Sequence, residues 1–311
     1  MTYDRNDVDL TDFHTVRLNR VTSAECDDNG HLNVQHYVGR FANAARLVSG
    51  QHQTVYCEAR VQDMHIRFHR ELLSGAETYV HLGIVGKGPY AGRILHLLTA
   101  DDTASPCATA LDMSDTAIAG LPTIDRPAPE YAVPRSLPIE AYRTIDTDEL
   151  LHKELGIIGA SQVVKAADCD ETDAMAASPM VGHFFRAAMR LWRFAGFERN
   201  WFGDNGYGGV AVEMKLTRFA EIQAGRSFAI VSWVPRLTNN LLDLANQMVE
   251  MPSGKPVARI CAASMIFDRK TRRPVDFPQT VRDYHARQFD GIELIDTEVT
   301  DTVREIRPRP L

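Results

Sequence analysis

Residues 64–85 read MHIRFHRELLSGAETYVHLGIV, and residues 213–234 read EMKLTRFAEIQAGRSFAIVSWV. Each begins as a strand carrying a basic residue, breaks at a glycine, and resumes with apolar residues at alternate positions, the period of a strand with one buried face. Gly75 and Gly225 lie 150 positions apart, and so do Pro106 of PCATALDM and Pro256 of PVARICAASM. Equal spacing at two separate landmarks points to an internal duplication.

Upstream of each segment stands a helical pattern. In VQHYVGRFANAARLV, residues 34–48, Val34, Tyr37, Val38, Phe41, Ala45 and Val48 recur at helical spacing. In VGHFFRAAMRLWRFAG, residues 181–196, Phe184, Ala188, Leu191, Trp192 and Ala195 do the same. Both open as Val-x-His-aromatic, which sets Tyr37 against Phe184 at a spacing of 147. Each half thus predicts a strand, a polar loop, one long helix and about four antiparallel strands. The helix buries its apolar face if the sheet wraps it, which makes the fold class α+β.

Between the halves, LPTIDRPAPEYAVPRSLP holds five prolines, which exclude regular helix and central strand. The expected organisation is an N-terminal domain over 1–121, a proline-rich linker over 122–156, a C-terminal domain over 157–280 and an extension over 281–311.

With 311 residues, 44% hydrophobic and 24% charged, the chain has the composition of a globular protein. Its net charge of −7 comes with no run of like charges, so neither nucleic acid nor an anionic membrane is an expected partner. No apolar run approaches the ~20 residues needed to cross a bilayer. The opening MTYDRNDVDL lacks the basic flank and apolar stretch of a secretory signal. Five scattered cysteines without a C-x-x-C pair fit free thiols in a reducing cytoplasm. No dinucleotide or phosphate-loop glycine fingerprint and no metal-spaced His/Cys cluster occurs, so neither a cofactor nor a metal is expected.

The polar stretch ECDDNGHLNVQHY, residues 25–37, leads into the first helix. Asn33 is a good N-cap, so the helix is expected to start at Val34 with its first N–H groups facing the loop. If the loop is extended, Asp27, Asn29 and His31 share one face, while Asp28 and Leu32 point elsewhere. A carboxylate, an amide and an imidazole at a helix N-terminus suit attack on an acyl carbon with stabilisation of the oxyanion. An Asp-Asp-Asn-Gly string is equally an ordinary turn, and His36 reads as a packed histidine.

The longer stretch ECDDNGHLNVQHYVGRF, residues 25–41, resembles the signature of the hotdog-fold thioesterases, notably the 4-hydroxybenzoyl-CoA thioesterase family and the plant acyl-acyl-carrier-protein thioesterases. The similarity covers most of residues 14–118, specific at the loop and looser along the strands. It implies a tandem double hotdog hydrolysing an acyl thioester, with acyl-CoA as the small-molecule substrate and no separate cofactor. By position, Asp27 falls on the catalytic aspartate, as nucleophile or as base for water, and Asp27, Asn29 and His31 match the Asp-x-Asn-x-His of the plant enzymes. The Val34 N–H falls where the thioester carbonyl is polarised, and Tyr37 where the acyl pocket has a wall. Arg67, Arg70, Lys87 and Arg93 are candidates for the coenzyme A phosphates.

The plant enzymes carry the catalytic set in their second hotdog, whereas here it lies in the first. The corresponding DCDETDAMAASPMVGHFF, residues 168–185, keeps Cys169 and Asp170, lacks Gly-His-x-Asn, and by the helix spacing holds about four extra residues. Two readings stand beside hydrolysis: a hydratase or dehydratase of the same fold, and a noncatalytic acyl-thioester binder. The two domains can pair internally in a monomer, or the chain can form a homo-oligomer.

Overall fold

In the computed structural model, which describes residues 9–27, 30–100, 105–114 and 118–289, Gly75 and Gly225 occupy equivalent turns. Their φ angles are +92° and +81°, a region that glycine enters freely because it lacks a Cβ. The Gly75 N–H donates to the Val21 carbonyl at 2.8 Å and the Gly225 N–H to the Val164 carbonyl at 2.9 Å. The duplication read from the sequence is present in the backbone.

The described residues divide into two compact units, one within Met1–Val133 together with Lys165–Gly182, the other within Pro134–Val164 together with His183–Leu311. The first contains β1 (His14–Leu18), α1 (Val34–Gln51), β2 (Val61–Phe68), β3 (Thr78–Lys87), β4 (Ile94–Ala100), β5 (Pro106–Ser114) and β6 (Thr123–Pro127). Its antiparallel strands run in the order β1-β3-β4-β5-β2, with β6 lying parallel to β3. Helix α1 packs against β1, β3 and β4, burying Tyr37, Val38, Phe41, Ala45 and Val48. Strand β4 is buried at every position, as expected of a strand covered on both faces.

The second unit has α2 (Thr147–His152) and β7 (Gly156–Val163), then most of α3 (Ala177–Phe194), followed by α4 (Trp201–Asp204), β8 (Tyr207–Arg218), β9 (Ser227–Leu237), β10 (Leu242–Met251), β11 (Lys255–Asp268), β12 (Pro274–Val275) and α5 (Gln279–Phe289). Its strand order β7-β9-β10-β11-β8 repeats that of the first unit. Leu191 of α3 and Ala195 just beyond its end join Val234, Leu242, Leu244 and Ile266 in one core cluster. Each repeat is thus a long helix buried on an antiparallel sheet, the α+β double hotdog architecture.

One expectation from the sequence is corrected. Val34 and Ala177, 143 positions apart, each open a helix of 18 residues. The loops before them match at the same spacing: Cys26 bridges Leu32 and Cys169 bridges Met175. Tyr37 therefore corresponds to Met180 and Phe41 to Phe184, and the second loop has no extra residues. The displacement is about four residues, close to one turn of 3.6, and an apolar helical face shifted by one turn falls on itself. Periodicity alone could not reveal it.

The proline-rich segment pairs with β3 only through the short strand β6; beyond it, where the prolines deny a regular ladder, backbone groups are met by side chains on the sheets. Arg67 donates to the carbonyls of Glu130 and Val133 at 3.0 and 3.1 Å. In the second unit the buried Glu213 carboxylate accepts from the N–H groups of Arg135, Ser136 and Leu137. The Gln247 side chain closes both a donor and an acceptor bond on Ile145.

Candidate active site

The loop before α1 is a tight turn, which replaces the extended segment supposed from alternation. The Gly30 N–H donates to the Asp27 carbonyl at 2.9 Å, and the Asp27 N–H to the His31 carbonyl at 2.7 Å. Gly30, at φ +79°, permits the reversal. Asp27 and His31 meet because the turn closes, and the Asp27 carboxylate also accepts from the His31 N–H at 3.1 Å. Asn29 and Asp28 lie outside the described residues.

Two contacts from distant parts of the chain hold this turn. The His31 Nε2 is 3.3 Å from the Glu71 carboxylate, and the Leu32 N–H donates to the Leu72 carbonyl at 2.7 Å. Below it, Glu25 closes a capping box with Thr22 and receives the Arg40 guanidinium at 2.8 and 3.3 Å. Arg40 is on α1 with its side chain only 7% exposed. Burial raises the Glu25 carboxyl, but Arg40 and the Thr22 hydrogen bonds together outweigh it and bring its pKa down to about 2. The loop and the helix it precedes are therefore tied by an ion pair whose arginine is nearly buried.

The helix starts at Val34 as its N-cap predicts, with the Asn33 side chain accepting from the Gln35 N–H at 3.2 Å. Among the described residues the Val34 N–H takes no partner, so it is a donor available to an oxyanion, with the helix dipole behind it. Tyr37 is buried one turn on, edge to face with Phe68 at 5.2 Å. Burial, reinforced by Cys107, raises its hydroxyl well above the ordinary range, so the side chain is neutral. Burial also holds His36 below its ordinary value.

Strand register separates the four candidate phosphate ligands. Arg67 and Arg70 lie at the end of β2 that pairs with the start of β5, near Leu72 and the loop, whereas Lys87 and Arg93 lie at the opposite end of the sheet. Arg93 pairs with Asp63 at 3.0 Å and Lys87 with Asp125 at 2.9 Å. Arg67 holds the proline-rich segment. Arg70 is exposed, with its guanidinium 3.3 Å from the Cys107 sulfur.

The loop of the second repeat, residues 165–182, has the same backbone shape and a different content. Asp170 stands for Asp27, but Ala174 replaces His31 and Ala176 replaces Asn33. Asp173, at φ +60°, takes the place of Gly30. The Asp170 carboxylate accepts from the Ala59 N–H at 2.8 Å and from both the N–H and hydroxyl of Thr172. Burial raises its pKa, yet these hydrogen bonds prevail and leave it below the ordinary value. At the α3 N-terminus the buried Glu58 carboxylate, paired with Arg46, accepts from the Ser178 N–H at 3.1 Å. An anion of the chain itself thus caps the N–H that corresponds to that of Gln35, which in the first repeat is capped by the neutral Asn33 side chain. Asp170→Ala should leave activity within about twofold while costing about 1 kcal/mol, the scale of a lost helix cap. Urea denaturation beside a turnover assay checks both, and a collapse of turnover with retained stability would show Asp170 to be part of the chemistry.

Sequence reasoning did not find Glu71, Glu58 or the Glu25–Arg40 pair. The Thr22-x-x-Glu25 spacing is a readable capping box, but Glu71 and Glu58 carry no local signal because their partners are remote in the chain.

Two helix-on-sheet repeats with a polar turn before each helix define a double hotdog protein. The chain belongs to the thioesterase-like superfamily, whose family model matches residues 21–114 and 164–284. These matched segments begin 143 positions apart, the spacing of the two loops. Solved structures share the architecture. An acyl-ACP thioesterase from Bacteroides thetaiotaomicron is 10% identical with a TM-score of 0.56, covering 81% of this chain and 98% of its own. The 12:0-ACP thioesterase from Umbellularia californica is 12% identical with a TM-score of 0.56, covering 81% and 97%. No curated protein matches the chain in sequence.

Proposed function

We propose that the chain hydrolyses an acyl thioester, with acyl-CoA as substrate, at a single site in its first repeat. The observation that carries this reading is the contrast between the loops: one keeps Asp27 beside His31 before a helix capped by the neutral Asn33, while the other has Ala174 in place of His31, its aspartate bound to Ala59 and Thr172, and the Glu58 carboxylate at its helix end. Asp27 attacks the carbonyl carbon or deprotonates the attacking water, and the Val34 N–H stabilises the oxyanion. Asn29 and His31 orient the carboxylate, and Glu71 fixes the His31 ring. Thiolate is a good leaving group, so its departure needs no strong acid.

Arg70, exposed near the loop, is the best placed of the candidate cations for a coenzyme A phosphate. The net charge of −7 disfavours an acidic carrier protein as thioester donor. A thiol-release assay with matched acyl-CoA and acyl-carrier-protein substrates tests both levels of this reading. Hydration of a crotonyl thioester without thiol release would overturn it in favour of a hydratase. Glu71→Gln should lower kcat by about 10- to 100-fold, the value of a hydrogen bond to a charged group. The loss should be accompanied by a shifted pH–rate profile; an unchanged profile and rate would remove Glu71 from the site.

A further inference from the structure

Beneath α1, inside the first unit, lies a polar pair that the chemistry above does not use. The His96 Nε2 on β4 and the Asp112 Oδ2 on β5 are 2.7 Å apart, and both side chains are 0% exposed. The His96 ring is 5.2 Å from Phe41 of α1, which places the pair on the helix-facing side of the sheet. Two of its polar atoms, His96 Nδ1 and Asp112 Oδ1, have no hydrogen-bond partner among the described residues. Leaving a buried polar atom unmet costs about 1–3 kcal/mol, so two together ask for a reason.

The fold does not require them. At the corresponding positions of the second repeat, 150 residues on, stand Asn246 and Ala262. There the Asn246 Oδ1 accepts from the Ser232 hydroxyl at 2.6 Å, and alanine has nothing to satisfy. At these equivalent positions the unmet pair occurs only in the repeat that keeps Asp27 and His31.

Its depth suits the far end of an acyl group entering at the loop. Phe41 is seven residues along α1 from Val34, about 10 Å at 1.5 Å per residue. Along β5, Asp112 is four residues beyond Ala108, which pairs with Phe68 at the loop end of the sheet, or about 13 Å. Both routes put the pair on the order of 10 Å from the reacting carbonyl. From the unmet atoms, their depth and their absence from the second repeat, we infer that His96 and Asp112 form a specificity subsite for an acyl group bearing a hydroxyl at its distal end. A hydroxyl donates to Asp112 Oδ1 or exchanges a hydrogen bond with His96 Nδ1, and a saturated tail meets neither.

This inference rests on the acyl group entering at the Asp27 loop, and its test separates the two. Paired esters, ω-hydroxyoctanoyl-CoA with octanoyl-CoA and ω-hydroxydecanoyl-CoA with decanoyl-CoA, are bound to the full chain carrying Asp27→Asn, and turned over by the wild type. The hydroxylated member of one pair should bind at least about tenfold more tightly, the scale of one satisfied buried polar group. His96→Leu/Asp112→Leu, which removes both partners and so strands neither charge, should abolish or reverse that preference. Asp112→Asn should shrink it, and the ¹⁵N shift of the His96 ring should move with the hydroxylated ester alone. Equal binding within both pairs, or a preference that survives the double substitution, overturns the subsite. Turnover with equal binding overturns the subsite while the hydrolase reading stands. A binding preference without turnover of any ester upholds the subsite and overturns the hydrolase reading.

Discussion

Asp27→Asn is expected to lower kcat for thiol release by about 10³-fold or more, because the variant can neither attack the carbonyl nor take a proton from water. Asparagine keeps the oxygen that accepts the His31 N–H, so the turn should survive and KM should change little. A catalytic role for Asp27 requires this separation of rate from folding. Continuous thiol trapping across a substrate panel measures the rate, and thermal unfolding confirms the fold. Full-rate release from the variant would remove Asp27 from the chemistry. Asp170→Ala, its counterpart in the second repeat, supplies the control in the same assay.

Glu25→Gln should have the largest effect on stability, about 3 kcal/mol. The new amide would still meet Thr22, but it would leave the Arg40 guanidinium, 7% exposed, without its counter-charge. Removing both charges, as in Glu25→Gln/Arg40→Met, should recover part of the loss, and the double-mutant cycle isolates the pair. The pH dependence has a definite sign. The folded Glu25 pKa is lowered from 4.5 to about 2, so its contribution is complete above the unfolded value and is lost as pH falls from about 5 towards 2. Urea midpoints of the wild type should therefore drop more steeply across that window than those of Glu25→Gln. Parallel curves would show that the pair does not stabilise the loop.

The fold was legible where the sequence has sharp landmarks. Gly75 and Gly225 sit at turns that demand positive φ, and strand alternation with a period of two resists a one-residue slip because the slip would turn every side chain over. Helical periodicity has no such protection, and the second helix was misplaced by one turn. At the site, Asp27, His31 and the Asn33 cap could be read because their neighbours are close in sequence. Treating the loop as extended missed the closure that joins Asp27 to His31. Glu71 and Glu58 arrive from elsewhere in the chain, and His96 stands in the largely apolar ILHLLTA, where it reads as one more strand residue. Such residues gain meaning from what the fold sets beside them.

The position of Glu58 has a historical consequence. With the Glu58 carboxylate at the Ser178 N–H, replacing Ala174 with histidine should not by itself create a second centre, because an oxyanion formed there would meet a resident negative charge. Removing Glu58 first would leave Arg46 without that partner and the Ser178 N–H uncapped, so the path back begins with a loss of stability. On the proposed mechanism, the divergence of the two repeats is easier to deepen than to undo.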